Sequence, residues 1–353
     1  MRSCDSLSII PRALQVAVGR DHALAAASAL CAAGGRGDEF RQDPGVGMVL
    51  AGFTLRSHAR HLQACLGADW LMAGDEEEAW LRWPLGRAAE LGEVAISLTE
   101  RIVERRPDLE RFGEGEIDLG LVGLCRALLS MPWPHVPRPV TLRWTKNDLG
   151  WSSPVPGVIA CDKMPTVTDV VLPSEFQSGG PVARMLSDQG GELHDQWKKF
   201  QMQTRFFWEA LGDRSEWPRN PGLTLSAMAM EMLWLVQVLR IWMEKRPAVD
   251  SAFGLLEGAV FKDGVYVGFV QAPGGILAHA VEIRDGQLVD FQYITPAEDS
   301  LFLMQEIIAR QVFAMDQAHL IRQEQEWWLR RLLWTFNLPG LRDNDGIEIS
   351  WLA

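Results

Sequence analysis

The chain has 353 residues, 47% of them hydrophobic and 23% charged, enough apolar material for a full-size core and too ordinary a balance for a mainly disordered protein. Its formal net charge is −12, and with no basic stripe to release counterions a nucleic-acid surface is excluded. Fifteen Trp stand beside only two Tyr; most are expected to fill a large helical core, with Trp327 and Trp328 as candidates for anchoring a partner protein.

Residues 12–33 are Ala- and Leu-rich and read as a helix that stops at the GGRG run of Gly34 to Gly37 and gives way to a loop. Before Pro11 there is no apolar core of signal-peptide length. The cysteines Cys4, Cys31, Cys65, Cys125 and Cys161 are spread singly with no CxxC pair. That is neither a disulfide framework nor a zinc site, and the reducing cytoplasm is the expected compartment.

A second helical block is expected over 57–71. Its HARHLQAC run places His58, His61 and Cys65 on adjacent turns, a set that could hold zinc or nickel. The simpler account is a pair of surface histidines beside a partly buried cysteine. A third block, 80–106, has Ala88, Leu91, Val94, Ala95 and Leu98 on one face and is closed by Pro107. After a further helix over 118–131 comes PWPHVPRP, 132–139, a candidate subdomain boundary within one domain spanning 1–353. The β-branched runs VTLRW, VIACD and TVTDVVLP that follow suggest a small sheet or insertion.

Residues 176–192 read as a polar, Gly-rich loop and 193–244 as helix. The most apolar stretch, Leu225 to Met243, has membrane-spanning length but carries Glu231, Gln237 and Arg240, each costly in lipid. It is therefore expected to be a buried helix with Leu225, Met228, Met232, Leu235, Leu239 and Met243 as its apolar stripe, and no membrane association is expected. Between Leu256 and Thr295 the period changes to four short β-like runs, with the Asp-Gly pairs at 263–264 and 285–286 as the turns of two hairpins. The tail is expected to be helical over 301–336 and to end on the apolar run IEISWLA. Neither a phosphate-binding loop nor a GxSxG elbow occurs, and no acid/base carboxylate pair stands out.

The β-rich stretch carries a family resemblance. VGFVQAPGGILAH followed by VEIRDGQLVDFQYITP resembles the late core segment of nickel-iron hydrogenase large subunits. There a strand bearing Glu-Ala-Pro-Arg-Gly is followed by a Leu and His, a strand, a Gly turn, and a strand ending in a Pro-containing loop. Gln271 stands where the family has Glu, and Gly274 where it has the Arg whose guanidinium sits over the bimetallic centre. On the same resemblance His22, in QVAVGRDHALAAASAL, matches the His of the early CxxCxxxH motif, with Gln15 and Val18 in the cysteine positions. Asp345 and Glu348 would occupy the cysteine positions of the terminal DPCxxCxxH. Without four thiolates the chain lacks the soft ligands that bridge nickel and iron, so hydrogenase catalysis is not expected.

A large-subunit-like chain without those cysteines resembles the HupK/HoxV family of hydrogenase maturation proteins. That resemblance implies a mainly helical α+β fold, a large-subunit-like helical bundle with a small antiparallel β-meander. It also implies a non-catalytic scaffold that transiently accepts or passes on an iron-cyanide-carbonyl unit, with no stable cofactor. The implied partners are small maturation chaperones of the HypC/HoxL type and the true large subunit. For holding the unit, Cys65 is the first candidate and Cys31 the second, with His22 and His279 beside them; Asp345, Glu348 and His61 are weaker metal candidates. Two rival readings are a metal-free decoy of the large subunit that docks maturation proteins, and an unrelated helical enzyme with a small-molecule pocket.

Overall fold

The longest apolar run of the sequence becomes the middle of the fold. A computed structural model describes residues 20–67, 119–130, 158–161, 181–186, 193–210, 222–244 and 255–294, with scattered helical positions between 308 and 326 and at Leu329. The chain order is α1 (Arg20–Ala33), α2 (Gly37–Gln42), α3 (Pro44–Gly67), α4 (Leu119–Ser130), β1 (Val158–Cys161), α5 (Pro181–Leu186), α6 (His194–Gln203), α7 (Arg205–Ala210), α8 (Gly222–Glu244), β2 (Gly264–Ala272), β3 (Gly275–Arg284) and β4 (Gln287–Ile294). Helix α8 packs against α3, α4 and α5. It is buried on almost every side from Gly222 to Leu239 rather than along one stripe, because neighbours surround it. Trp234 on α8 meets Trp197 on α6 edge-on at 4.8 Å between ring centres, and Phe200 and Trp208 complete the aromatic cluster. Trp197 and Trp234 do fill the core, with Trp208 half-buried against it; Trp327 and Trp328 lie outside the described residues.

Helix α1 ends as its sequence dictates. Gly35 takes φ +75°, and the amides of Gly35 and Arg36 turn back to the carbonyls of Ala32 and Cys31. The expected loop after it is instead the short helix α2. Helix α3 starts thirteen residues earlier than the periodicity predicts. Asp43 caps it, its Oδ1 accepting from the Gly45 amide at 2.7 Å, and Pro44 fills the first helical position. Gly45, Gly47 and Gly52 hid that start in the sequence. Helix α4 falls where predicted, and α5 occupies part of the expected 176–192 loop.

The sheet has the order β1-β2-β3-β4, antiparallel throughout. VIAC is therefore not a separate insertion but the edge strand beside β2. The second hairpin turn is as predicted: Asp285 and Gly286, at φ 52° and 67°, link Arg284 to Gln287 in a two-residue reversal. The first is not. Asp263 and Gly264 lead into β2, and the reversal between β2 and β3 is made by Pro273 and Gly274, flanked by the pair Ala272 and Gly275. Three strands, not four, arise from 256–295.

One face of the sheet lies on α1. The contact is made by absence of a side chain: a Cβ on Gly268 would stand 2.2 Å from the Ala29 nitrogen and 2.7 Å from the Ala25 oxygen. Helix backbone and strand backbone touch there. Beyond that point Ala29, Leu30 and Ala33 pack with Val281, Ile283 and Phe261. The third helical block at 80–106, the 132–139 link, the runs VTLRW and TVTDVVLP, and the terminal IEISWLA lie outside the described residues.

Candidate functional site

The turn that carries the large-subunit-like pattern is held from behind by a charged group in a dry core. Glu231 sits in the middle of α8 with its carboxylate fully buried. The Arg184 guanidinium, itself buried, donates from Nε to Glu231 Oε1 at 2.6 Å and from Nη2 to Oε2 at 2.8 Å. It also reaches the turn: Nη1 donates to the Ala272 carbonyl at 2.8 Å and Nη2 to the Pro273 carbonyl at 3.0 Å. From α3, His58 Nε2 lies 2.6 Å from Glu231 Oε2. Three helices thus converge on one carboxylate, and one guanidinium passes the connection on to the backbone of the β2–β3 turn.

The electrostatics follow from this geometry. Burial opposes the charge on Glu231, but the adjacent Arg184 charge and the hydrogen bonds from Arg184 and His58 outweigh it and hold the carboxyl at about 2. Glu231 is therefore ionised at neutral pH and can only accept, so His58 donates its Nε2–H. Three hydrogen bonds already reach the carboxylate and its affinity for a proton is low, which makes it a poor general base. Arg184 is a planar fork that can bind a carboxylate and two carbonyls at once, which a lysine could not do. The array is a brace.

The sequence-derived candidates fall into separate places. His58 and His61 are both fully buried, which corrects the expectation of surface histidines. The reason is that α3 packs on α8, and the carboxylate of α8 engages His58. Cys65 lies further along α3, four residues after His61; its side chain is outside the described residues. Cys31 is a buried thiol on α1, and burial, partly countered by Arg36, pushes it up to about 12. At neutral pH it is a thiol, not the thiolate that binds soft metals. Cys125, on α4, is likewise pushed up to about 12 by burial.

His279 is fully buried on β3, paired across the ladder with Gly268 on one side and Tyr293 on the other. Its ring stacks on Tyr293 at 5.7 Å and meets Phe291 edge-on at 5.0 Å. Because Gly268 touches α1 at Ala25 and Ala29, His279 lies beside the crossing of helix and sheet. His22 is three residues before Ala25, so its backbone position lies on that same face of α1, one turn away. Its side chain, and Asp345 and Glu348 altogether, are outside the described residues. Among the described residues no group of three or more His, Cys, Asp or Glu is placed to hold a metal ion.

Arg184 and Glu231 were not singled out as a pair from sequence. Each carries a signal nonetheless: a Glu inside the apolar helix LSAMAMEMLWLV, and an Arg inside the apolar run PVARML. A buried charge of each sign calls for a partner, but nothing in a sequence separation of 47 residues says that these two meet.

No family model matches the sequence, and no curated protein matches it. Solved structures do. A chain of the NAD+-reducing nickel-iron hydrogenase in its H2-reduced state is 15% identical and superposes with a TM-score of 0.52, covering 91% of this chain and 84% of that one. The nickel-iron-selenium hydrogenase of Dm. baculatum, purified anaerobically and crystallised under air, is 14% identical with a TM-score of 0.38 over 84% and 80%. On the first of these likenesses the chain has a fold like that of a nickel-iron hydrogenase large subunit, largely helical with a small antiparallel sheet.

Proposed function

We propose that this chain is a non-catalytic accessory protein in the maturation of a nickel-iron hydrogenase, of the HupK/HoxV kind, working in the cytoplasm. One observation carries the reading: the chain has a large-subunit-like fold, yet the turn of the late core segment has Gly274 where that segment has its Arg, and the sequence has no CxxC anywhere. A fold kept without the groups that split hydrogen suits a protein that is handled as a large subunit is handled. It would assist assembly or transfer of the iron-cyanide-carbonyl unit to the true large subunit, with small chaperones of the HypC/HoxL type as partners. The unit would be held only in passing, by Cys65 first.

Deletion of the gene in a hydrogenase-producing host tests this. Hydrogenase activity and processing of the large subunit should fall, and the protein purified anaerobically should carry weak nitrile and carbonyl infrared bands or bring maturation proteins with it. Normal maturation in the deletion strain, with neither bands nor partners, removes the reading.

The full burial of Cys31 on α1 favours a second reading, a metal-free decoy that only docks maturation proteins. Iron analysis of freshly isolated protein separates the two. Replacing Cys65 by Ser should leave the decoy unaffected and abolish transfer by a scaffold that holds the unit there.

A further inference from the structure

We propose that Arg184, Glu231 and His58 are positioning residues for the 272–275 turn, a role that rests on the maturation reading only for the importance of that turn. Hairpin turns are ordinarily set by their own residues and by the ladder beneath them. This one is in addition gripped through two consecutive carbonyls by a side chain from a distant helix. The grip is aimed: with Nε and one N–H of Nη2 committed to Glu231, Nη1 and the second N–H of Nη2 are directed at the Ala272 and Pro273 carbonyls. Glu231 is fixed in turn by His58 from the opposite helix.

Holding the turn by its backbone leaves the side chain at 274 without a positioning duty. That is compatible with Gly274, and Gly275 at φ +151° adds a backbone conformation that L side chains rarely adopt. The turn is thus set in place by a side chain from a distant helix as well as by its own ladder.

Native-state amide exchange on the full-length protein, read at residues 274–276 and at the α8 core around 233–238, tests the assignment. In Arg184→Met/Glu231→Gln both buried charges are gone while residue 231 can still accept from His58. Exchange at 274–276 should rise at least tenfold more than exchange in α8 does. Arg184→Lys supplies the second variant, which keeps the charge opposite Glu231 but cannot span two carbonyls as well. The turn should loosen there too, and it decides the matter if the double variant fails to fold.

Wild-type protection of the turn in Arg184→Lys overturns the proposal, as does an equal rise in turn and α8, which would mean general destabilisation. Hydrogenase maturation in a host carrying Arg184→Lys is a separate readout. Normal maturation with a loosened turn would remove the turn from the maturation reading and leave the positioning role standing. Unchanged exchange would remove the positioning role whatever the hydrogenase does.

Discussion

Among the described residues, two of the contacts that hold the sheet in the molecule are built from opposite materials. Where β2 crosses α1, the surfaces are Gly268 against Ala25 and Ala29, with no polar side chain between them, and shape alone decides the fit. Where the β2–β3 turn meets the bundle, a guanidinium, a carboxylate and an imidazole share a fully buried space, and hydrogen-bond geometry decides. The first tolerates no added atom. The second tolerates no missing partner, because a buried charge left alone costs far more than the pair contributes. One seam is set by steric exclusion, and the other by charge that must be answered.

Arg184→Met should strike hardest. It strands the Glu231 carboxylate and removes the donor from two carbonyls, a loss of about 3–5 kcal/mol in unfolding free energy. Urea denaturation measures it, and adding Glu231→Gln should return more than half of the loss. A single variant that costs under about 1 kcal/mol would mean that the charges are not truly desolvated. Gly268→Ala comes next, at about 3 kcal/mol, the upper end of ordinary overpacking, since the new Cβ meets backbone rather than a side chain that can swing away. The sharper form of that test is a second change. Ala29→Gly trims the facing residue but leaves its nitrogen and Cα in place, so it should not rescue Gly268→Ala, and rescue would show that side chains set the spacing.

This contrast also explains what could be read in the sequence. The Asp285–Gly286 reversal was legible because two adjacent residues fix their own dihedrals. The buried character of α8 was legible because its composition outweighs its three polar residues. Pro273–Gly274 was visible as part of a family-like segment yet not as a hairpin turn, since Asp263–Gly264 offered a stronger local signal ten residues earlier. The start of α3 was masked by three glycines, a propensity penalty that packing against α8 overrides. The brace could not be read at all: its members sit at 58, 184, 231 and 272–273, and only the fold brings them together. His279 pairs with Gly268 at the α1 crossing and the backbone of His22 stands one turn earlier on α1, while the last ten residues, which the large-subunit resemblance would bring to the same place, lie outside the described residues.

Acid should separate the two seams. The folded-state value of Glu231, about 2, lies below its ordinary 4.5, so its ionisation stabilises the fold fully above about 4.5, and that contribution is lost as pH falls through 2. Wild type should therefore lose stability relative to Glu231→Gln between pH 4.5 and 2, while the difference between wild type and Gly268→Ala stays flat over the same window. Urea midpoints at constant ionic strength supply both curves. A wild-type curve parallel to that of Glu231→Gln would mean that the carboxylate is not held ionised by its partners.

The smallest effect concerns the shape-fitted seam alone. Cys31 lies on α1 with its thiol pushed up to about 12, which leaves roughly one molecule in ten thousand as thiolate at pH 8. Iodoacetamide should leave Cys31 unmodified in the folded protein over an hour and label it within minutes in urea, as read by peptide mass spectrometry. Stability itself should be unchanged by Cys31→Ser within about 1 kcal/mol if the added hydroxyl finds the local helix carbonyl as acceptor. Rapid labelling of folded protein would have a definite meaning, because the thiol can ionise only where water reaches it. It would show that α1 lifts off its neighbours in the native state, and it would return Cys31 to the set of residues able to hold a metal fragment in passing.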